Sequence, residues 1–271
     1  NAAAAVTTLG GSVMPPCVRE AMLKAAECFV PINDLQAAVG KRIAQLTHNE
    51  AALVVGGSAA GLAEVTAALM VGTDPYLIRR LPDTAGRKRE VLIHQCQRYG
   101  FDQAVRTAGA RLVEFGLPAE TMPFDLEGSI SEQTLAVLYV APGARPTGAP
   151  SLPETIAIAH RHGIPVIVDA AAQLPPVTNF WYFTRDLGAD VAIFSGGKDL
   201  HGPQATGIVV GKWAIIEAVA LNGYPNPSIG RPMKIGKEGI IGALAALEWY
   251  LSIDHAARLE DCERQVRHLQ E

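Results

Sequence analysis

The sequence has 271 residues, enough to bury one large core or a large and a small one. Hydrophobic residues make up 49% and charged residues 18%, which excludes an intrinsically disordered chain. The net charge of −4 calls for neither nucleic acid nor an anionic membrane surface, and no apolar run nears the roughly 18 residues that a transmembrane helix needs.

Short apolar runs alternate with helical stretches along the chain, the pattern of a mostly parallel sheet covered by helices on both faces. The sequence predicts helices over 16–28 and 35–46, then a strand over 51–55 running into Gly56-Gly57-Ser58-Ala59-Ala60-Gly61 and a helix over 60–71. Residues 81–90 read as a polar surface loop. Strands follow at 91–95, 111–115 and 135–140, with a helix over 102–108 between the first two. A helix over 152–162 leads to the strand 165–169, and two further strands are expected at 191–195 and 207–210. The connection 196–206 is short and rich in Gly and Pro, too short for a helical crossover, so the seventh strand is expected to run antiparallel to the sixth. Two helices close the chain, over 237–251 and from 254 onward. A boundary to a second domain, if there is one, is expected near 225–255. Both ends look cut, since the chain opens without methionine and stops inside a polar helical stretch; the expectation is a piece of a longer protein. The four cysteines (Cys17, Cys28, Cys96, Cys262) show no C-x-x-C spacing and read as free thiols of a reducing cytoplasm.

Two residues carry the chemical reading. Asp169 ends the apolar run Pro165-Val166-Ile167-Val168, and Lys198 stands twenty-nine positions later, just past the next apolar strand, in Ser195-Gly196-Gly197-Lys198. Open α/β sheets bind ligands at the carboxyl ends of their strands. A buried carboxylate there needs a cation, and the pyridinium N–H of pyridoxal phosphate supplies one. Lys198 would be the Schiff-base lysine and then the general base at the substrate Cα. The alternatives are a helix N-cap for Asp169 and a surface lysine in a glycine turn for Lys198. Gly57, Ser58 and Ala59 at a strand-to-helix turn suit a phosphate cup, to which the Ser195 hydroxyl could add a donor; tight strand–helix packing would equally explain the glycines. Gln173 is near enough in sequence to reach the cofactor ring, or caps a turn. His160 and His162 are two apart on a helix and point to different faces, and no His and carboxylate cluster has metal-ligand spacing. A G-x-S-x-G serine elbow is also missing.

With these residues assembled, the chain resembles the selenocysteine-synthase-like branch of fold-type-I pyridoxal-phosphate enzymes, which holds the L-seryl-tRNA(Sec) selenium transferases and, closer in wording, the D-glucosaminate-6-phosphate ammonia-lyase group. The resemblance rests chiefly on Val168-Asp169-Ala170-Ala171-Ala172-Gln173-Leu174-Pro175-Pro176, on Gly197-Lys198 with Gly202-Pro203-Gln204, and on Ile229-Gly230-Arg231-Pro232-Met233-Lys234. It implies a three-layer α/β fold with a seven-stranded, mostly parallel sheet. Residues 1–250 would form a large cofactor-binding domain and 251–271 the start of a linker helix to a small C-terminal domain mostly absent here. It also implies a homodimer or higher homo-oligomer with its sites at the subunit interface. The position that covers the cofactor ring in that family, commonly a histidine, falls on Gln97. Arg145, Arg231 and Lys234 become candidates for a substrate carboxylate or phosphate, with ordinary surface charge as the alternative.

The resulting expectation is a cytoplasmic lyase acting at Cα and Cβ of a small amino-acid-like substrate, a phosphorylated aminosugar acid among the candidates. Selenium transfer onto seryl-tRNA ranks lower, because the chain shows no basic stretch for RNA. A racemase or aminotransferase needs the same two residues. A pyridoxal-phosphate-binding protein without turnover is the reading from a different class.

Overall fold

The computed structural model describes residues 5–141 and 148–270. Two helices, α1 (Pro16–Ala26) and α2 (Ile32–Leu46), precede the first strand, β1 (Ala51–Val55). Next come α3 (Ser58–Val71), α4 (Pro75–Arg80), β2 (Glu90–His94), α5 (Gln103–Thr107), β3 (Arg111–Phe115), α6 (Pro123–Ser129) and β4 (Thr134–Val140). They are followed by α7 (Leu152–Arg161), β5 (Val166–Asp169), a short helical segment α8 (Asn179–Trp181) that continues into a wider turn over 182–186, β6 (Val191–Ser195) and β7 (Gly207–Gly211). The described chain ends with α9 (Trp213–Asn222), α10 (Lys237–Ser252) and α11 (His255–Gln270).

The seven strands lie in the order β1-β7-β6-β5-β4-β2-β3. Strands β2 to β6 pair in parallel, while β7 is antiparallel to both β6 and β1, so β1 points the same way as the parallel set. The expected antiparallel seventh strand is therefore present. Six strands present their carboxyl ends at one edge, and the amino end of β7 joins them there.

Side chains alternate across the strands and build a core on each face. Val137, Val166, Val168, Ala192 and Phe194 meet α1, α2, α7 and α10 on one side. Ala136, Leu138, Ile167, Val191 and Ile193 meet α3, α4, α5 and α9 on the other. Helix α3 buries 11 of its 14 residues, as an apolar helix does when it lies on a sheet between neighbouring helices, here α5 and α9. Its Gly61 packs on Ile193, Val209 and Val55 of three strands, where an added Cβ would lie 3.0–3.2 Å from their methyl groups.

Four helical segments were not expected from the sequence: α4, α6, α8 and α9. Helix α9, Trp-Ala-Ile-Ile-Glu-Ala-Val-Ala-Leu-Asn, is almost uniformly apolar and has no polar face to mark its period. The others are six, seven and three residues long, too short to show a period at all. Among the described residues, no helix is long and apolar enough to cross a membrane.

Candidate active site

Strand parity decides which residues meet at the carboxyl edge. Asp169 continues the row of Ile167, Ser195 that of Ile193, and Val140 that of Leu138, all on the face against which α3 packs. Helix α3 begins at that same edge. A cavity of about 390 Å³ opens between them, lined by Gly57, Ser58, Ala59, Asp169, Gln173, Ser195 and Lys198 among others. Residues far apart in the chain are thus brought together by the topology.

The amino end of α3 is shaped for an anion. Gly57 takes a left-handed conformation (φ 108°), which glycine adopts without strain, and no side chain caps the helix. The free N–H groups of the first turn and the helix dipole face a cavity lined by Ser58 and Ala59. Close backbone packing holds the turn in place: a Cβ on Gly207 would stand 2.8 Å from Gly57 C and Ser58 N. The same constraint explains the pair before Lys198. A Cβ on Gly196 would collide with Thr206 Oγ1 at 1.9 Å, and one on Gly197 would approach Gln204 Cα to 2.5 Å.

Asp169 is 6% exposed, and its two oxygens have different tasks. Oδ1 accepts from the Ala171 N–H at 2.9 Å and closes a turn; no helix starts here, so the helix N-cap alternative does not apply. Oδ2 accepts from the Tyr99 hydroxyl, a partner seventy positions away that the sequence reading missed. Burial first, and then the adjacent Asp169 charge, push the Tyr99 pKa well up, so this hydroxyl stays protonated and donates. Gln173 lines the cavity while its Nε2 donates to Ala141 O at 2.9 Å.

Gln97 does not line the cavity. The turn Gln95–Gln97 rotates its side chain inward, where Oε1 accepts from the Val140 N–H at 3.0 Å and fastens the end of β4. In this loop Tyr99 faces the cavity instead, and its place two residues past Gln97 was the available sequence signal. His94 has the parity of Leu92 and so lies on the opposite face, its ring 4.4 Å from Phe115 and 5.6 Å from Tyr139.

Arg231 and Lys234 also lie away from the cavity lining. Both are exposed and stack on Tyr224, at 5.2 and 5.9 Å from the ring centre. This segment packs against the turn between β1 and α3, where a Cβ on Gly56 would meet Met233 O at 2.6 Å. Arg145 lies outside the described residues. His160 and His162 have separate partners, Asp190 at 2.9 Å and Glu127 at 2.5 Å.

A second chamber of about 840 Å³ adjoins the first and shares Thr7, Gly11, Phe101, Ala172 and Lys198 with it. Lys198 therefore stands between an inner chamber holding Asp169 and an outer one reaching His201 and Arg258.

The profile of the L-seryl-tRNA selenium transferase family matches residues 7–262. The chain belongs to that family. It is 32% identical over 98% of its length to a 5'-C-glycyluridine monooxygenase-decarboxylase from a Streptomyces species, covering 67% of that protein. It is also 32% identical to the D-glucosaminate-6-phosphate ammonia lyase of Salmonella typhimurium, over 92% of this chain and 67% of that one. A solved structure of D-glucosaminate-6-phosphate ammonia-lyase superimposes with a TM-score of 0.85 at 31% identity, over 93% of this chain and 67% of the other. The likeness to the Thermus thermophilus aspartate aminotransferase (TM-score 0.62, 19% identity, 90% and 65% of the two chains) extends to the fold.

Proposed function

We propose that the protein is a pyridoxal-phosphate-dependent lyase acting at Cα and Cβ of a small amino-acid-like substrate. The observation that carries this reading is the meeting of Asp169, Lys198 and the uncapped start of α3 around one cavity. The residues present fit the cofactor. A half-open cup of N–H donors suits its phosphate, and a buried carboxylate whose Oδ2 is met by a hydroxyl rather than a cation suits its pyridinium.

When bound, pyridoxal phosphate supplies a conjugated ring that accepts electrons from the substrate Cα. The chain's own residues do the rest. The first-turn N–H groups at Ser58 and Ala59, with the Ser195 hydroxyl, would hold the phosphate. Asp169 would keep the ring nitrogen protonated, and Gln173 lines the cavity that would receive the ring. The Lys198 amine would hold the cofactor, and its free base would take the proton from the substrate Cα and return it where the product needs it. Tyr99, in place of Gln97, borders the ring-nitrogen end of the site. Arg145 remains the candidate for a substrate carboxylate or phosphate, on sequence grounds; Arg231 and Lys234 are left out of the proposed site of their own chain.

The same reading takes residues 1–250 as the cofactor-binding domain and 251–271 as the start of a linker. It also takes the protein to be a cytoplasmic homo-oligomer, in keeping with four free thiols. The family description favours one second reading, selenium transfer onto a seryl group, which would use Lys198 and Asp169 in the same first half of the reaction. A screen of amino acids and phosphorylated aminosugar acids, following ammonia and ketoacid together, tests the proposal. Release of both in equal amounts is expected. Transfer of the amino group without free ammonia, or no turnover of any of them, would contradict it.

A further inference from the structure

The turn that carries Lys198 is tied to a helix remote from the sheet. Asp199, the next residue, accepts from both terminal nitrogens of Arg258 on α11, from Nη1 at 3.0 Å and from Nη2 on its other oxygen. The Tyr250 hydroxyl at the end of α10 donates to the same carboxylate at 2.7 Å. Burial opposes ionisation of Asp199, yet these two donors hold its carboxyl below the usual range. Arg258 also reaches His201 on the far side of the turn. The His201 Nδ1 lies 3.0 Å from Val13 O, which can only accept, so Nδ1 carries the proton and Nε2 faces the Arg258 Nη2 at 3.4 Å. One guanidinium thus meets two side chains of the lysine turn, those one and three positions after Lys198.

Helix α11 is held at its start and little elsewhere. Asp254 caps it, with Oδ1 accepting from the Ala256 and Ala257 N–H groups at 3.0 Å. His255 Nε2 donates to Tyr250 O at 2.9 Å. Beyond this turn, α11 buries no residue, and Leu259, Val266 and Leu269 are each more than half exposed. The position of the helix is therefore set by the same turn that holds Asp199.

We propose that Asp199 and Arg258 are positioning residues that fix the Lys198 turn to the first turn of α11, so that the aim of the Lys198 amine depends on where α11 sits. This inference rests on the proposed function in taking Lys198 as the cofactor-bearing lysine. A shift of α11 would drag the Asp199 carboxylate, and with it the residue that divides the inner chamber from the outer one. The pair also sets the local charge, because Arg258 neutralises the carboxylate of the residue that follows Lys198.

The test uses the intact protein with Arg258→Gln, Arg258→Lys, Asp199→Asn and the Asp199→Asn/Arg258→Gln double variant. Without ligand, amide hydrogen exchange over 196–202 is expected to quicken roughly tenfold or more in each Gln or Asn variant, while the central strands stay protected. The Lys variant, which keeps charge but not the fork, falls between. The double variant exchanges no faster than the singles. With pyridoxal phosphate, the pH midpoint of the visible band of the lysine-bound cofactor is expected to rise by about one unit in Arg258→Gln, where Asp199 is left unneutralised. It falls by about as much in Asp199→Asn and returns near wild type in the double variant. Midpoints and exchange equal to wild type in all variants, beside a wild type that takes up the cofactor, would overturn this inference alone. A wild type that takes up no pyridoxal phosphate would overturn the proposed function and this inference together.

Discussion

The Tyr99 hydroxyl donates to Oδ2 of Asp169, joining the loop after β2 to the end of β5 at the floor of the cavity. A carboxylate 6% exposed needs such a partner, since an ionised group left bare in the interior is costly. The proposed cofactor would offer the same oxygen a charged N–H, a stronger donor than a phenol.

Tyr99→Phe is therefore expected to destabilise the ligand-free protein by about 1.5–3 kcal/mol, the usual range for a hydrogen bond to a charged group. With pyridoxal phosphate the loss should largely vanish, because the pyridinium takes over the bond. Thermal unfolding of both proteins, with and without the cofactor, checks this. An equal drop in Tm under both conditions would show that Tyr99 supports Asp169 in the loaded state too.

Glu64 makes a second prediction, on pH. It is buried on α3 beside Gly223 and Gly230, and burial raises its pKa from 4.5 to about 8, against a smaller opposing effect of the Tyr224 backbone N–H. The folded state thus holds a proton that the unfolded chain releases above pH 4.5. Stability falls as pH rises through this window and levels off above about 8, by at most about 1.4 kcal/mol per pH unit. Glu64→Gln removes the titration, so its advantage over wild type should be absent near pH 4 and grow up to pH 8. A constant difference across that range in denaturant titrations would contradict the assignment.

His94 carries the opposite sign. Burial alone lowers its pKa from 6.5 to about 4, and neither ring nitrogen has a hydrogen-bond partner within the described residues. The unfolded chain therefore binds a proton below pH 6.5 that the folded one refuses. Stability is full above 6.5 and declines as pH falls toward 4. His94→Phe, which suits the contacts with Phe115 and Tyr139, should abolish this acid sensitivity and leave stability at pH 8 unchanged or raised. An unchanged acid limb would contradict it.

Much of the scaffold was legible because the buried parallel strands read as short apolar runs, such as Val166-Ile167-Val168 closed by Asp169. The reversed β7 was legible from the Gly and Pro content of residues 196–206. The elements that went unseen are those whose period is hidden: α9, apolar on nearly all sides, and the short α4, α6 and α8. Within the site, residues in continuous motifs (Asp169, Ser195, Lys198 and the turn at Gly57) were legible as a group. Gln97 was not, because the phase of one three-residue turn decides whether it or Tyr99 faces the cavity. The pairs Tyr99–Asp169 and Asp199–Arg258 were invisible, since they form only when the sheet order and the helix ends bring distant residues together.

The central claim is that Lys198 bears the cofactor. Reducing the pyridoxal-phosphate-loaded protein with borohydride and mapping the modified peptide by mass spectrometry tests it most directly. The predicted result is one phosphopyridoxyl group on Lys198, lost in Lys198→Ala together with the visible absorbance band. Modification of another lysine in the wild type, or a band that survives in Lys198→Ala, would contradict the account.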